Sequence, residues 1–353
     1  VNIISEGSLK MKLNFKHKLI SFLSIIVMVH SCVPDVDPPV TQPLFYQPDG
    51  FPAPSGQLAN NPVTYYGFSL GKKLFYDPIL SVDSTVSCGT CHQQWAAFAN
   101  LDHKLSHGIN DLEGTRNSPP LFNLAWHSNF FWDGGSTHIE MQPIGPITNP
   151  VEMNESLPNA LMKLQRSSYY PAMFKKAFGS DSITTQSMTR ALAQFMSSLI
   201  SANSKYDKVK AGTATFTVDE QNGYMLFKAK CESCHKEPLM TDLTYRNNGL
   251  DLHFAADPGR AHITLQPSDS GKFKVPSLRN IAVSYPYMHD GRLNSLSKVI
   301  DHYRSGIVLS STIDPLLSSG NISITDAEKQ QIILFLNTLT DPTFLNDKRF
   351  SEK

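Results

Sequence analysis

The stretches Cys88-Gly89-Thr90-Cys91-His92 and Cys231-Glu232-Ser233-Cys234-His235 repeat one five-residue pattern in a chain that holds five cysteines. No other feature restricts the fold as much. Two thiols spaced by two residues can add to the two vinyl groups of one haem, and the next histidine is then placed to coordinate the iron. C-x-x-C is also a zinc half-site, but a zinc module needs its second half within roughly 12–20 residues. Here the copies lie far apart, each with its own adjacent histidine. Composition alone would produce such a pattern on the order of 0.002 times in a chain of this size. Two covalent haems c are expected, held by Cys88 and Cys91 with His92, and by Cys231 and Cys234 with His235.

Covalent haem attachment belongs outside the cytoplasm. From Met11, the expected true start, the chain reads MKLNFKHK, then LISFLSIIVMV, an apolar run too short for a stable span. The HSC that follows ends at Cys32 and resembles a bacterial lipoprotein processing site. That resemblance implies a lipidated Cys32 and a location on the periplasmic side of a bacterial membrane, with contact only through the anchor. An unlipidated secretory signal is the alternative. Residues 33–62 carry eight prolines and few periodic apolar positions, which suggests an extended tether over 33–57. Zero formal net charge offers no case for a nucleic-acid partner.

The rest reads as mostly α, two cytochrome c-like haem domains in one chain, over 58–210 and 211–345, with a boundary near 205–216 and a tail at 346–353. Thr217 and Glu220 form a capping box ahead of the second motif. On the helix it opens, Gly223 and Phe227 lie four apart on one face, so another helix can cross closely. The partner expected is the last helix, opened by Thr325 and Glu328, with Ile332, Leu336 and Leu339 at helical spacing before Asp341-Pro342. The approach to the first motif has Gly71, Leu74 and Phe75, and Leu192, Phe195 and Leu199 share a helical face further on. No run of alternating strands stands out.

Two stretches carry a family resemblance: GTRNSPPLFNLAWHSNFFWDGGSTHIEMQPIGPITNPVEM and FKVPSLRNIAVSYPYMHDGRLNSLSKVIDHYRSG. With both haem motifs in the same order, the chain resembles the bacterial di-haem cytochrome c peroxidase/MauG family from about residue 58 to 345. The resemblance implies a peroxidase that reduces hydrogen peroxide at the N-terminal haem. Electrons would come from a small redox protein through the C-terminal haem. It places Trp132 between the haems, and Gln142 and Glu152 on the distal side of the first. It also implies calcium held between the domains by Asn117 and the carbonyls of Ser284 and Pro286, an all-oxygen set suited to that ion. One departure stands out: the family usually has arginine after WDG, where this chain has Gly135.

Family members differ at the second haem's distal ligand. The position matching the usual methionine is Tyr303, as in the MauG branch, and phenolate would lower that haem's potential relative to thioether. Met288 is the competing ligand. At the first haem, His107 is a possible displaceable ligand; otherwise His92 stands alone opposite an open position. Two further readings remain: a MauG-like oxidase of a partner protein, and a non-catalytic electron carrier with both irons six-coordinate.

Overall fold

The computed structural model describes residues 43–101 and 103–352. Met11, Cys32 and the first part of the expected tether lie outside them. Twelve α-helices and one pair of two-residue strands form the described regular structure, alongside short 3-10 turns. The mostly helical reading agrees with this.

The first half contains α1 (Tyr65–Tyr76), α2 (Cys88–Cys91), α3 (Ile144–Thr148), α4 (Leu157–Arg166), α5 (Tyr170–Phe178) and α6 (Thr185–Ser197). Thr64 opens α1 by accepting the N–H of Gly67 at 3.0 Å. Leu70, Leu74 and Phe75 then pack with Leu192 and Phe195 of α6 in one buried core. Gly71 lets the two helices cross, since a Cβ there would overlap the backbone carbonyl of Ala191.

The second half contains α7 (Lys205–Lys210), α8 (Val218–Lys230), β1 (Tyr245–Arg246), α9 (Ala261–Thr264), β2 (Phe273–Lys274), α10 (Leu296–Ser305), α11 (Asp326–Asn337) and α12 (Pro342–Leu345). Both expected capping boxes form: Glu220 N–H bonds Thr217 Oγ1 at 3.2 Å, and Glu328 N–H bonds Thr325 Oγ1 at 3.2 Å. α8 crosses α11 at Gly223, where a Cβ would overlap the carbonyl of Gln331. Phe227, Ile332, Phe335, Leu336 and Leu339 bury together around that crossing, each side chain contributing about 1.5–3 kcal/mol.

Three boundaries differ from the sequence expectation. Lys205–Lys210, expected in the first domain, contributes Tyr206 to the second core, and Asp207 pairs with the fully buried Arg279 at 2.8 Å. The segment after α11 returns to the first half. There Phe344 packs between Phe98 and Phe122, Phe350 packs on Phe68, and Tyr76 Oη donates to the Phe350 carbonyl at 2.8 Å. Phe344, expected in the second domain, and Phe350, in the expected tail, are therefore both part of the first core. The described part of the expected tether is also docked: Phe45 and Phe51 bury against Trp126, whose indole donates to Pro52 O at 2.8 Å. Proline content pointed to an extended chain, but these aromatic anchors hold it down.

Candidate active site and the haem clefts

A cavity of about 470 Å³ opens in the first half, and Cys88, Cys91, His92, Trp132, Gln142 and Glu152 all line it. Ser87 caps the one-turn α2, with Thr90 returning the bond, so both thiols emerge from a fixed turn. His92 Nδ1 donates to the Phe98 carbonyl at 2.7 Å. A carbonyl can only accept, so this bond fixes the tautomer and leaves Nε2 free for a metal. Burial pulls the His92 pKa down to about 4, keeping the imidazole neutral as a ligand must be.

The cavity walls fit a haem. Burial pushes the Cys88 thiol up to about 12, so free thiolate is disfavoured where neutral thioether would be stable. On the same lining, His127 Nδ1 is buried without a hydrogen-bond partner. Beside it, Lys274 bonds the Asn129 carbonyl at 2.9 Å, and burial draws its ammonium down to about 8. An orphaned ring nitrogen and a lysine held by a carbonyl suit a cofactor edged with carboxylates. Among the described residues no group of three His, Cys, Asp or Glu side chains is arranged to hold a metal ion.

Glu152 accepts a hydrogen bond from Asn149 Nδ2 at 2.7 Å. Burial nevertheless raises its pKa, and that hydrogen bond offsets only part of the shift. His107 turns away: its Nδ1 meets Asp111 Oδ1 at 2.8 Å, and only its carbonyl faces Cys91, at 3.9 Å.

The surroundings of His235 follow a parallel design. His235 Nδ1 lies 3.1 Å from the Pro276 carbonyl and 3.3 Å from that of Met240, again leaving Nε2 free. Tyr303 lies on α10, and burial pushes its phenol up to about 12. Met288 Sδ lies 3.4 Å from Asn248 Nδ2.

Trp132 sits where the halves meet. Its Nε1 donates to the Asn117 carbonyl at 2.8 Å, and its own carbonyl accepts the Lys274 N–H of β2 at 2.8 Å. Asn117 N–H in turn donates to His289 O at 2.8 Å. Trp132 is thereby tied to the first half through its indole and to the second through its main-chain carbonyl.

A family model described as di-haem cytochrome c peroxidase matches residues 66–215. The methylamine utilization protein MauG of Methylophilus methylotrophus is 32% identical over 92% of this chain and 95% of that protein. The chain belongs to the di-haem cytochrome c peroxidase/MauG family. Cytochrome c551 peroxidase of Nitrosomonas europaea is 33% identical over 77% of this chain and 79% of that protein. The crystal structure of a MauG-like protein associated with microbial copper homeostasis superposes with a TM-score of 0.81. It is 32% identical, and the match covers 87% of this chain and 98% of that one. The fold is thus that of two cytochrome c-like domains with two c-type haems, and the protein is an oxidoreductase of the peroxidase class.

In this di-haem peroxidase, two arginines from elsewhere in the chain lie beside Gly135. Arg260 reaches across from the second half, its Nη1 donating to Asp133 O at 2.8 Å and Gly134 O at 3.2 Å. Arg116 adds a second cation, pairing with Asp133 at 2.6 Å and Asp257 at 2.7 Å. Two guanidinium groups thus stand beside the Asp133-Gly134 turn. The expected calcium residues lie near this seam: Asn117 and Ser284 are buried, and Asn117 reaches the 284–289 loop through the bond to His289. Lys274, His127, Arg260 and Asn248 had no role in the sequence reading. Lys274 stands inside the quoted FKVPSLRN stretch, so a signal was present for it; Asn248 has none.

Proposed function

We propose that this protein reduces hydrogen peroxide at the haem held by Cys88, Cys91 and His92, with electrons relayed from the haem at Cys231, Cys234 and His235. The observation that carries this is the convergence of Gln142 and Glu152 on the cavity lined by His92. The bound haem supplies an iron that accepts peroxide and exchanges electrons. Glu152, as carboxylate, takes the proton from one peroxide oxygen and returns it to the other, so that water can leave. Gln142 orients the peroxide through its amide. The apolar wall formed by Phe75, Phe122 and Met153 keeps bulk water from competing. Bonded to Asp111, His107 would not serve as a ligand to that haem. Two electrons and two protons turn one peroxide into two waters.

Trp132 carries electrons across the seam. Trp132→Phe is expected to lower steady-state turnover several-fold while the ferric spectra of both haems stay unchanged; full turnover would remove the indole from the path. Tyr303 would hold the iron of the second haem together with His235. Calcium, held by Asn117, Ser284 and Pro286, would fix the two halves across the same seam.

Steady-state assay with peroxide and a reduced small cytochrome tests the reading, and absence of turnover would sink it. An electron paramagnetic resonance spectrum of the ferric protein should contain a high-spin signal from the first haem. Two low-spin signals alone would favour an electron carrier. The alternative, oxidation of a partner protein, draws support from Tyr303, because a phenolate ligand favours the more oxidised iron. Cys32 anchors the protein through lipid on the periplasmic side. Cys32→Ala is expected to move it from the membrane fraction to the soluble periplasmic fraction.

A further inference from the structure

A lysine from the second half lines the cavity of the first. Lys274, on β2, and His127 both stand on its wall, with Cys88, Cys91 and His92. The Lys274 ammonium is partly buried and donates to the Asn129 carbonyl at 2.9 Å, two residues beyond His127. An ammonium has three N–H donors, and among the described residues no Asp or Glu forms an ion pair with this one. Asp133, on the same wall, is already paired with Arg116 at 2.6 Å. His127 Nδ1 is buried without a hydrogen-bond partner. A cation drawn away from water without a counter-charge and an unsatisfied ring nitrogen are both costly. One carboxylate offers what both groups lack: a negative charge and several lone pairs.

We propose that Lys274 and His127 are positioning residues that together hold one carboxylate of the first haem, so that a side chain of the second half sets the potential of the haem in the first. This rests on the first haem occupying this cavity, and not on peroxide being its substrate. With its proton on Nδ1 the imidazole can donate to a carboxylate oxygen, as can the ammonium, and such charge-assisted bonds are the strong ones. The pairing offsets a negative charge at the haem edge. An electron added to the iron is then repelled less, so the potential lies higher than an unpaired carboxylate would leave it. The same residue reaches the seam: Lys274 N–H donates to the Trp132 carbonyl at 2.8 Å, and Tyr245 of β1 stands opposite it in the ribbon. Its main chain is thereby fixed beside Trp132 while its side chain serves the first haem. That arrangement ties the first haem's potential to the docking of the second half.

The test is spectroelectrochemical titration of the holoprotein, joined to resonance Raman spectroscopy of its haem carboxylate bending bands. Lys274→Met keeps the length and removes the charge; it should lower the first haem's midpoint potential, leave the second's unchanged and shift one carboxylate band. Lys274→Arg keeps the charge and should leave both potentials near those of the wild type. If Lys274→Met does not load haem, His127→Phe reads the same contact, keeping a ring beside Phe130, whose centroid lies 6.3 Å from that of the imidazole. It should shift the same band with a smaller fall in the first potential. An unchanged or raised first-haem potential in the variant that loads overturns the proposal. So do equal shifts at both haems, or a Lys274→Arg potential as low as that of Lys274→Met. Peroxide turnover reports separately: its absence in the wild type sinks the peroxidase reading, whereas these potentials and bands are read without peroxide.

Discussion

Glu152→Gln is expected to lower kcat for peroxide by roughly 10²–10⁴-fold, with haem content and both ferric spectra retained. Glutamine keeps the size of the side chain and can still bond Asn149, but it cannot take and return a proton. By transition-state arithmetic the loss is about 3–5 kcal/mol of barrier. The pH profile carries a second signature. Burial raises the Glu152 pKa, and the carboxylate is the active form, so kcat/KM should fall as pH drops through that raised value. The acid limb should therefore lie above the ordinary glutamate range near 4.3, and Glu152→Gln should abolish it. The same raised pKa acts on stability in the opposite sense to a salt-bridged carboxylate. Ionising Glu152 costs more in the folded than the unfolded protein, so it subtracts stability as pH rises above the unfolded value. Wild-type turnover in Glu152→Gln would assign the proton transfer to another group.

Gly223→Val is expected to destabilise the holoprotein by about 3 kcal/mol or more, at the upper end for overpacking a core. The added Cβ would overlap the Gln331 carbonyl and come within 3.0 Å of the Phe335 Cβ. Neither is the free end of a flexible side chain, so α8 and α11 must separate. That separation would reach the second haem, because Cys231 continues directly from α8, its N–H bonded to Phe227 O at 2.8 Å. Thermal unfolding followed at the Soret band should show a clear fall in Tm, along with reduced haem loading. A variant as stable as wild type would mean the two helices are not packed this tightly.

How much was legible follows from the range over which each signal acts. The capping boxes at Thr217/Glu220 and Thr325/Glu328 span three residues, so their chemistry is complete within the local sequence. Gly223 with Phe227 could likewise be read as a close-crossing face, since a helix repeats every 3.6 residues. The docking of Phe344 and Phe350 on the first core was not readable, because no local pattern says which of two cores a terminal aromatic will join. The tether suffered from the same limit: eight prolines describe the backbone of 33–62, whereas Trp126, distant in sequence, decides whether Phe45 and Phe51 are buried.

The active site divides in the same way. The two C-x-x-C-H motifs bring cysteines and histidine together within five residues, so the sequence alone determined the haem attachment and, through the family resemblance, nominated Gln142, Glu152, Trp132 and Tyr303. Only the tertiary structure decided that His107 bonds Asp111, that Arg260 reaches the carbonyls of Asp133 and Gly134, and that Asn248 stands against Met288. Each of those last choices depends on a side chain's direction and on a partner up to 127 residues away. Local chemistry is written along the chain, but orientation and distant partnership exist only once the chain has packed.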